Sequence, residues 1–262
     1  NSVIQGKIYA LLNDQAGGIW IATDSGVRYF SLFSHKFERV SGRVLTPNID
    51  IDKPKLMRRK ESSEGYWMVS DSGIYSVSLE PFQNRRLMYR GTVSDFAESD
   101  GVLWLATNQG IRRIDNVTGH AVQGKPMPEF LKTADVRFLE LGKNGVLWGA
   151  GDDHLWRYDL NSDQLTQYGS DWMIKKYLPA QLTDMKVTEQ GFLILGTEHG
   201  VYVLRNGQIH FIGESVPFGS VINTVQVDDY DIWVASRYGL YRFDLYTGHV
   251  KSLPLLDGHI TP

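Results

Sequence analysis

Short apolar runs recur along the chain, and each is closed by a turn that contains Asp, Asn or Gly. The clearest is Gly18–Thr23 (GIWIAT), followed by a polar turn at 24–26. Runs of four to eight residues rich in Val, Ile, Tyr and Trp predict strands, and the turns between them predict hairpins. No stretch keeps a 3.6-residue apolar period, although 126–131 and 173–177 each fit a single helical turn. The pattern predicts an all-β chain.

The same run returns five more times. The position of Trp20 is taken in the later copies by Trp67, Trp104, Trp148, Ile194 and Trp233, which lie 37 to 47 residues apart. Five of the seven tryptophans occupy this one position. The mean spacing of about 43 residues is the period of a four-stranded propeller blade. The chain is therefore predicted to be a β-propeller of four-stranded antiparallel blades, with six repeats visible.

Two repeats depart from the pattern. In the fourth, Gly151 stands where the other copies have Thr or Ser, and His154 stands where they have Gly. In the fifth, Ile194 replaces the tryptophan. The last residues, 253–262, look like the start of a further repeat, which leaves open a parent protein with seven or more blades. We expect residues 1–262 to be a single domain within a longer protein.

Composition narrows the function classes. Hydrophobic residues make up 42% of the chain and charged residues 22%, and the formal net charge is −3. This balance gives no general attraction to nucleic acid or acidic lipid. The chain has no cysteine, which excludes disulfides, a thiol nucleophile and cysteine metal sites. Because no apolar run approaches about 20 residues, we expect any membrane attachment to come from segments outside this chain.

The recurring pattern resembles the two-component regulator propeller repeat. Its best copies here run over 14–29, 100–114 and 231–243, each with an Asp before the Trp and a Gly six residues after it. The resemblance implies a periplasmic sensor region of an inner-membrane hybrid histidine kinase or diguanylate cyclase, with the output domain outside this chain. It also implies that such propellers form homodimers, and that some respond to glycan fragments.

A ligand surface is predicted at the turns between the second and third strands, which share one face of a propeller with the connections between blades. Carboxylates, amides and an aromatic ring there suit a polyhydroxylated ligand. The candidate residues are Asp24, Asp71, Asn108, Asp152, His154, Glu198, His199, Arg237 and Tyr238. The alternative is that Asp, Asn and Ser stand there only because they form turns.

The long connection 169–183 adds two further candidates, Trp172 and Tyr177. Trp172 falls outside every repeat position, so it serves either recognition or burial of the loop. The basic run 58–60 reads as a solvated or channel-facing strand edge in preference to a phosphate site. No histidine pair has a metal-ligand spacing, and neither metal nor cofactor is expected.

The function that we expect is non-catalytic sensing of a small molecule, such as a glycan fragment, with signalling through ligand- or partner-dependent assembly at the propeller rim. No nucleic-acid partner is expected. Two alternatives remain open: a propeller enzyme, such as a streptogramin-type lyase or a glycan-acting hydrolase, and a protein-interaction scaffold. A propeller face suits all three, because function is added to a fold and not dictated by it.

Overall fold

A computed structural model of the chain describes twelve stretches of residues. They are 8–13, 18–23, 26–31, 36–39, 55–61, 65–77, 85–124, 126–152, 154–168, 181–212, 221–236 and 239–253. The contacts divide the chain into two compact units, one formed by 46–177 and the other by 1–45 with 178–262. The expectation of a single domain over residues 1–262 stays a prediction.

The unit 46–177 contains the second, third and fourth repeats. Each repeat folds into one antiparallel sheet whose strands follow in chain order. The second-repeat sheet consists of β5 (Leu56–Arg59), β6 (Tyr66–Ser70), β7 (Gly73–Val77) and β8 (Arg85–Arg90). The third consists of β9 (Val93–Ser99), β10 (Val102–Thr107) and β11 (Gly110–Asp115). The fourth consists of β12 (Phe138–Leu141), β13 (Val146–Ala150), β14 (Leu155–Asp159) and β15 (Gln164–Tyr168).

The other unit contains the first, fifth and sixth repeats, again as antiparallel sheets in chain order. The first-repeat sheet consists of β1 (Ile8–Asn13), β2 (Gly18–Thr23), β3 (Gly26–Ser31) and β4 (Lys36–Arg39). The fifth consists of β16 (Leu182–Val187), β17 (Leu193–Thr197), β18 (Gly200–Arg205) and β19 (Gln208–Phe211). The sixth consists of β20 (Ile222–Asp228), β21 (Asp231–Ser236), β22 (Gly239–Asp244) and β23 (Val250–Leu253), and β20 lies between β1 and β16. The predicted four-stranded meander is confirmed in these sheets.

The third repeat lacks a fourth strand among its described residues. Ala121 forms only an isolated bridge with Ile114, and the chain then passes Pro126 and Pro128. Proline has no backbone N–H and cannot continue the ladder. A short helix, α1 (Glu129–Thr133), follows instead and packs against β11. Of the two predicted helical turns, 126–131 overlaps this helix, and 173–177 lies outside the described residues.

The apolar cores lie between successive sheets. Between the second and third repeats, Trp67 and Val69 pack with Phe96 and Leu103. Between the fifth and sixth repeats, Ile194 belongs to one core cluster with residues of β20, β21 and β22. Both faces of a central strand are therefore buried, which explains why strands such as β10 are apolar without alternation.

In the second, third, fourth and sixth repeats, the repeat tryptophan carries a cation over its indole ring. In three repeats the cation is an arginine that stands directly opposite the tryptophan on the third strand. The pairs are Trp104 with Arg113, Trp148 with Arg157 and Trp233 with Arg242, with the guanidinium carbon 5.4 to 5.9 Å from the ring centroid. Such cation–π contacts contribute on the order of 0.5–1 kcal/mol when partly exposed.

The second and fifth repeats differ from this tryptophan–arginine pair. In the second repeat the position opposite Trp67 is Ser76, and the cation comes from Lys60, which follows β5. The Lys60 ammonium lies 4.6 Å from the Trp67 ring centroid and donates a 2.6 Å hydrogen bond to Ser76. In the fifth repeat tryptophan and arginine are both replaced, by Ile194 and Val203.

Two glycines of the fourth repeat, Gly149 and Gly151, stand where neighbouring atoms leave no room for a side chain. A Cβ on Gly149 would lie 2.0 Å from the indole of Trp156, which stands opposite it and is fully buried. A Cβ on Gly151 would lie 2.2 Å from the backbone carbonyl oxygen of Asp135 and 2.6 Å from the ring of His154. In the third repeat the equivalent of Gly151 is Thr107, whose hydroxyl donates a 2.6 Å hydrogen bond to the Gly110 carbonyl within the turn. In the fourth repeat the Asp135 backbone and the His154 ring together leave no room for such a side chain.

Candidate functional site

In the unit 46–177, the turns between second and third strands carry four of the predicted site residues. Two of their carboxylates are paired within their own repeat: Asp71 with Lys55, and Asp152 with Arg137. Lys55 and Arg137 each stand just before the first strand of their sheet, where their backbone N–H groups bond to the second strand at 2.8 Å. The second and fourth repeats therefore contain equivalent ion pairs. Because these side chains are well exposed, each pair contributes little to stability.

Asn108 and His154 lie in equivalent turns of the third and fourth repeats but have different surroundings. Asn108 is exposed, next to the place where α1 meets Gly110. His154 is partly buried, and its ring makes an edge contact with Phe130 of α1 at 5.7 Å. Asn108 is therefore open to a ligand, whereas His154 supports the packing of the helix.

In the other unit, Glu198 and His199 occupy the turn between β17 and β18, and both side chains are exposed. The turn is fixed by Thr197, whose hydroxyl donates to Gly200 at 2.9 Å and accepts from the His199 N–H at 3.1 Å. The Glu198 N–H bonds to the carbonyl of Gln181 at 3.1 Å. A rigid backbone thus presents a carboxylate and an imidazole to solvent. The other predicted site residues, Asp24, Trp172, Tyr177, Arg237 and Tyr238, lie outside the described residues.

A charged network on the first strands of the unit 46–177 was missed by the sequence analysis. Arg58 of β5 lies 3.0 Å from Asp95 of β9 and 3.0 Å from Glu140 of β12. The Asp95 carboxylate also accepts the Leu139 N–H of the next sheet at 2.9 Å and the Phe96 N–H at 2.8 Å. One guanidinium therefore connects three successive sheets. Arg58 belongs to a strand, as predicted, and its carboxylate partners are inconsistent with a phosphate site.

Asp184 of β16 repeats this arrangement in the other unit. Its carboxylate accepts the Thr224 hydroxyl at 2.6 Å and the Val225 N–H at 2.9 Å, both on the first strand of the sixth repeat. Asp95 and Asp184 each follow an irregularity in the ladder, which turns the next side chain toward the neighbouring sheet. The signal in the sequence was a Ser-Asp or Thr-Asp pair directly after the first apolar residue of the strand, at 94–95 and 183–184.

A second missed group joins the second and third sheets around Glu98 of β9. The buried carboxylate of Glu98 accepts hydrogen bonds from Trp67 Nε1 at 2.8 Å, from the Glu61 N–H at 3.0 Å and from Asn116 Nδ2 at 2.8 Å. Burial lowers the pKa of Lys60, which the Glu98 charge partly opposes. Burial, together with the charges of Glu98 and Asp100, raises the pKa of Glu61. The group holds two repeats together.

Among the described residues, no three acidic or histidine side chains are placed so that they could share a metal ion. The one helix among them, α1, is too short to cross a bilayer.

Comparison with known proteins gives a short match to one family model and a fold. The family model described as the two-component regulator propeller matches residues 2–25. No curated protein matches the chain in sequence.

Solved structures match over most of the chain. The extracellular domain of BT3049 from B. thetaiotaomicron, described as a hybrid two-component system, is 15% identical over 95% of this chain and 34% of its own, with a TM-score of 0.62. That of BT4673 from the same organism is 18% identical over 78% of this chain and 28% of its own, with a TM-score of 0.60. The Pan2 WD40 domain of Neurospora crassa is 13% identical over 79% of this chain and 67% of its own, with a TM-score of 0.57.

The chain spans about a third or less of the length of the two B. thetaiotaomicron domains. Sequence repeats, sheet order and structural likeness agree. The chain is a β-propeller, and its residues 2–25 match the two-component regulator propeller repeat.

Proposed function

We propose that this chain is the extracytoplasmic, non-catalytic sensor module of a bacterial transmembrane signalling protein. The observation that carries the proposal is the repeat itself, whose family model is named for two-component regulators. The likeness to two domains described as extracellular parts of hybrid two-component systems supports the same reading. The kinase or cyclase output and the inner-membrane anchor then belong to other parts of the protein.

The proposed ligand is a small polyhydroxylated molecule, such as a glycan fragment, bound at the turns between second and third strands. Asn108, Glu198 and His199 support this because they are exposed and sit on turns held by backbone and hydroxyl bonds. Asp71 and Asp152 are held by cations and would act as oriented hydrogen-bond acceptors. A preformed polar surface of this kind binds with little cost in ordering.

Signalling would pass through assembly of two propellers at their rims. The ligand changes that equilibrium only by the difference in its affinity for the two arrangements. In the Arg58 network, largely buried ion pairs join three neighbouring sheets. Such connections suit a module that moves as a rigid body.

The compartment can be tested with an introduced thiol, since the chain contains no cysteine. Val117→Cys in the full-length protein places a thiol at a site that is 71% exposed. We expect it to react with a membrane-impermeant maleimide in intact cells and to raise the labelling above that of the unsubstituted protein. Leu105→Cys, at a fully buried position, is the matched control and should react only after denaturation. Labelling of Val117→Cys that requires cell lysis would refute the extracytoplasmic assignment.

The ligand surface can be tested with two glutamates of the fifth repeat at opposite ends of one sheet. Both Glu198 and Glu189 are exposed, but Glu198 lies in the proposed ligand turn. Calorimetric titration with a panel of neutral and acidic oligosaccharides should find a binder for the native chain. Glu198→Ala should then weaken binding about tenfold, the loss of one good hydrogen bond, while Glu189→Ala leaves it unchanged. Equal effects of the two variants would exclude this surface.

A further inference from the structure

Two tyrosines of the sixth repeat project into solvent from one end of its sheet. Tyr230 lies in the hairpin between β20 and β21, and Tyr246 in the turn between β22 and β23. In an antiparallel meander these two turns lie at the same end, opposite the turn between second and third strands. Tyr230 is 46% exposed and Tyr246 is 86% exposed, the highest value among the large apolar side chains of the described residues.

The turns themselves do not require tyrosine. Three residues before the tryptophan position, the third repeat has Gly101, which follows Asp100 in a hairpin of the same two-residue length. The sixth repeat has Tyr230 there. In the turn that begins with Asp115 or Asp244, Val117 of the third repeat corresponds to Tyr246. Both aromatic rings are thus additions to turns that the fold closes without them.

The two tyrosines form one prearranged surface. Their rings make an edge-to-face contact with centroids 6.3 Å apart and planes at 71°. The backbone holds the two turns together, since the Leu245 N–H donates to the Tyr230 carbonyl at 2.8 Å. Ordering this surface before binding removes much of the entropic cost of an interface.

Acidic side chains surround the pair. Asp228, Asp231 and Asp244 stand side by side on β20, β21 and β22, because Asp231 is the register partner of both others. Directly paired residues project from the same face of a sheet. Asp229, in the hairpin, is within 3.5 Å of Gln190 in the neighbouring turn, where Glu189 is also exposed.

Two cations balance part of this charge. Asp231 binds Arg242, and Lys251 stands opposite Arg242 on β23. The four carboxylates at this end of the sheet, those of Asp228, Asp229, Asp231 and Asp244, therefore exceed the two cations by two among the described residues. The surface is both aromatic and negatively charged, and its complement is a partner that carries positive charge.

We propose that Tyr230, Tyr246 and the surrounding carboxylates form a docking surface for a basic segment of a protein partner. A lysine or arginine side chain of that segment would lie against the tyrosine rings, where the face of the aromatic system attracts a cation. Tyrosine and arginine are also the residues most enriched at interface centres. The surface lies at the other end of the sheet from the proposed ligand turns. The protein partner and the ligand could therefore bind at the same time.

The test measures the anisotropy of a fluorescently labelled Arg/Lys-rich peptide titrated with the chain. The same peptide with glutamate at every basic position is the control probe. We expect binding of the basic peptide alone, weakened by added salt because the attraction is screened. Tyr246→Ala should weaken binding about tenfold, or about 1.4 kcal/mol, and Tyr246→Phe, which retains the ring, should bind like the native chain.

Val117→Ala is the matched control, because it truncates the corresponding turn residue of the third repeat and should leave binding unchanged. Tyr230→Ala provides a second variant for the same surface. The proposal fails if the native chain does not bind the basic peptide, or if both tyrosine variants bind it undiminished. It also fails if a neutral oligosaccharide binds with the same dependence on the tyrosines, which would make the pair a carbohydrate platform.

Discussion

Removal of the Glu98 carboxylate is the perturbation that most directly tests how two repeats are held together. In Glu98→Ala the donors of Trp67, Glu61 and Asn116 lose their acceptor, and Trp67 Nε1 is buried. Hydrogen bonds to a charged group contribute about 1.5–3 kcal/mol each, but deletions within one network are not additive. A buried donor that is left without an acceptor costs about 1–3 kcal/mol. We expect Glu98→Ala, which leaves several neutral donors without one, to lower the free energy of unfolding by about 2–4 kcal/mol.

Glu98→Gln separates charge from hydrogen bonding. Its single carbonyl oxygen can accept from both Trp67 and Glu61, which share one carboxylate oxygen in the native protein. Its NH₂ can donate to the Asn116 carbonyl after that amide turns over. Only the charge is then lost, and the expected destabilisation is about 1–2 kcal/mol.

Both variants can be measured by urea unfolding followed through tryptophan fluorescence. A lower midpoint with an unchanged slope would report a change in stability alone. Glu198→Ala, at an exposed turn, is the control and should change stability by less than about 0.5 kcal/mol. A loss below about 1 kcal/mol in Glu98→Ala, or equal losses in the Ala and Gln variants, would refute the reasoning.

Three further predictions concern single positions. Gly149→Leu should destabilise the chain by about 1–3 kcal/mol or more, because the new side chain overlaps the Trp156 indole. In the same unfolding assay, the double variant Gly149→Leu with Trp156→Leu should recover most of the lost stability. Arg113→Met should cost about 0.5–1 kcal/mol, and a double-mutant cycle with Trp104→Leu should assign that loss to the pair. Hydrogen bonds from Thr118, chiefly its backbone N–H, lower the pKa of Asp115, so its stabilising contribution is present above its unfolded pKa of about 3.9 and is lost as pH falls through the folded value. Asp115→Asn keeps an acceptor without titrating, so its melting temperature should fall less steeply at acid pH than that of the native chain; an identical acid decline would contradict this.

The fold was predictable because the repeat marks strands and turns with residues that local physics requires. Tryptophan, flanking aliphatic residues and a terminal glycine mark the second strand and its turn in most repeats, and the sheet still forms where Ile194 replaces the tryptophan or His154 the glycine. The missing fourth strand of the third repeat was not predicted, although Pro126 and Pro128 mark the place where a ladder cannot continue.

The polar residues that join neighbouring sheets were not predictable from one repeat alone. Asp95 bonds to Leu139 and Asp184 to Val225, so each partner lies in the next repeat, about forty residues away. Periodicity says which face of a strand is apolar, but it does not say what a lone carboxylate will meet across an interface. The turn residues were correctly placed in turns, while the pairing of Asp71 with Lys55 depends on the exact start of a strand.

The interlocking of Gly149 and Trp156 also restricts how the fourth repeat could have diverged from its neighbours. In the third repeat the corresponding residues are Leu105 and Arg112, which stand opposite each other in the same register. Introducing the indole first would drive it into an aliphatic side chain, whereas introducing glycine first leaves a cavity that costs about 2–5 kcal/mol. If the repeats descend from a common blade, either order therefore passes through an intermediate that is less stable than the starting and final states. The two positions changed as a coupled pair, and an aliphatic residue restored at position 149 alone would now overlap the Trp156 indole.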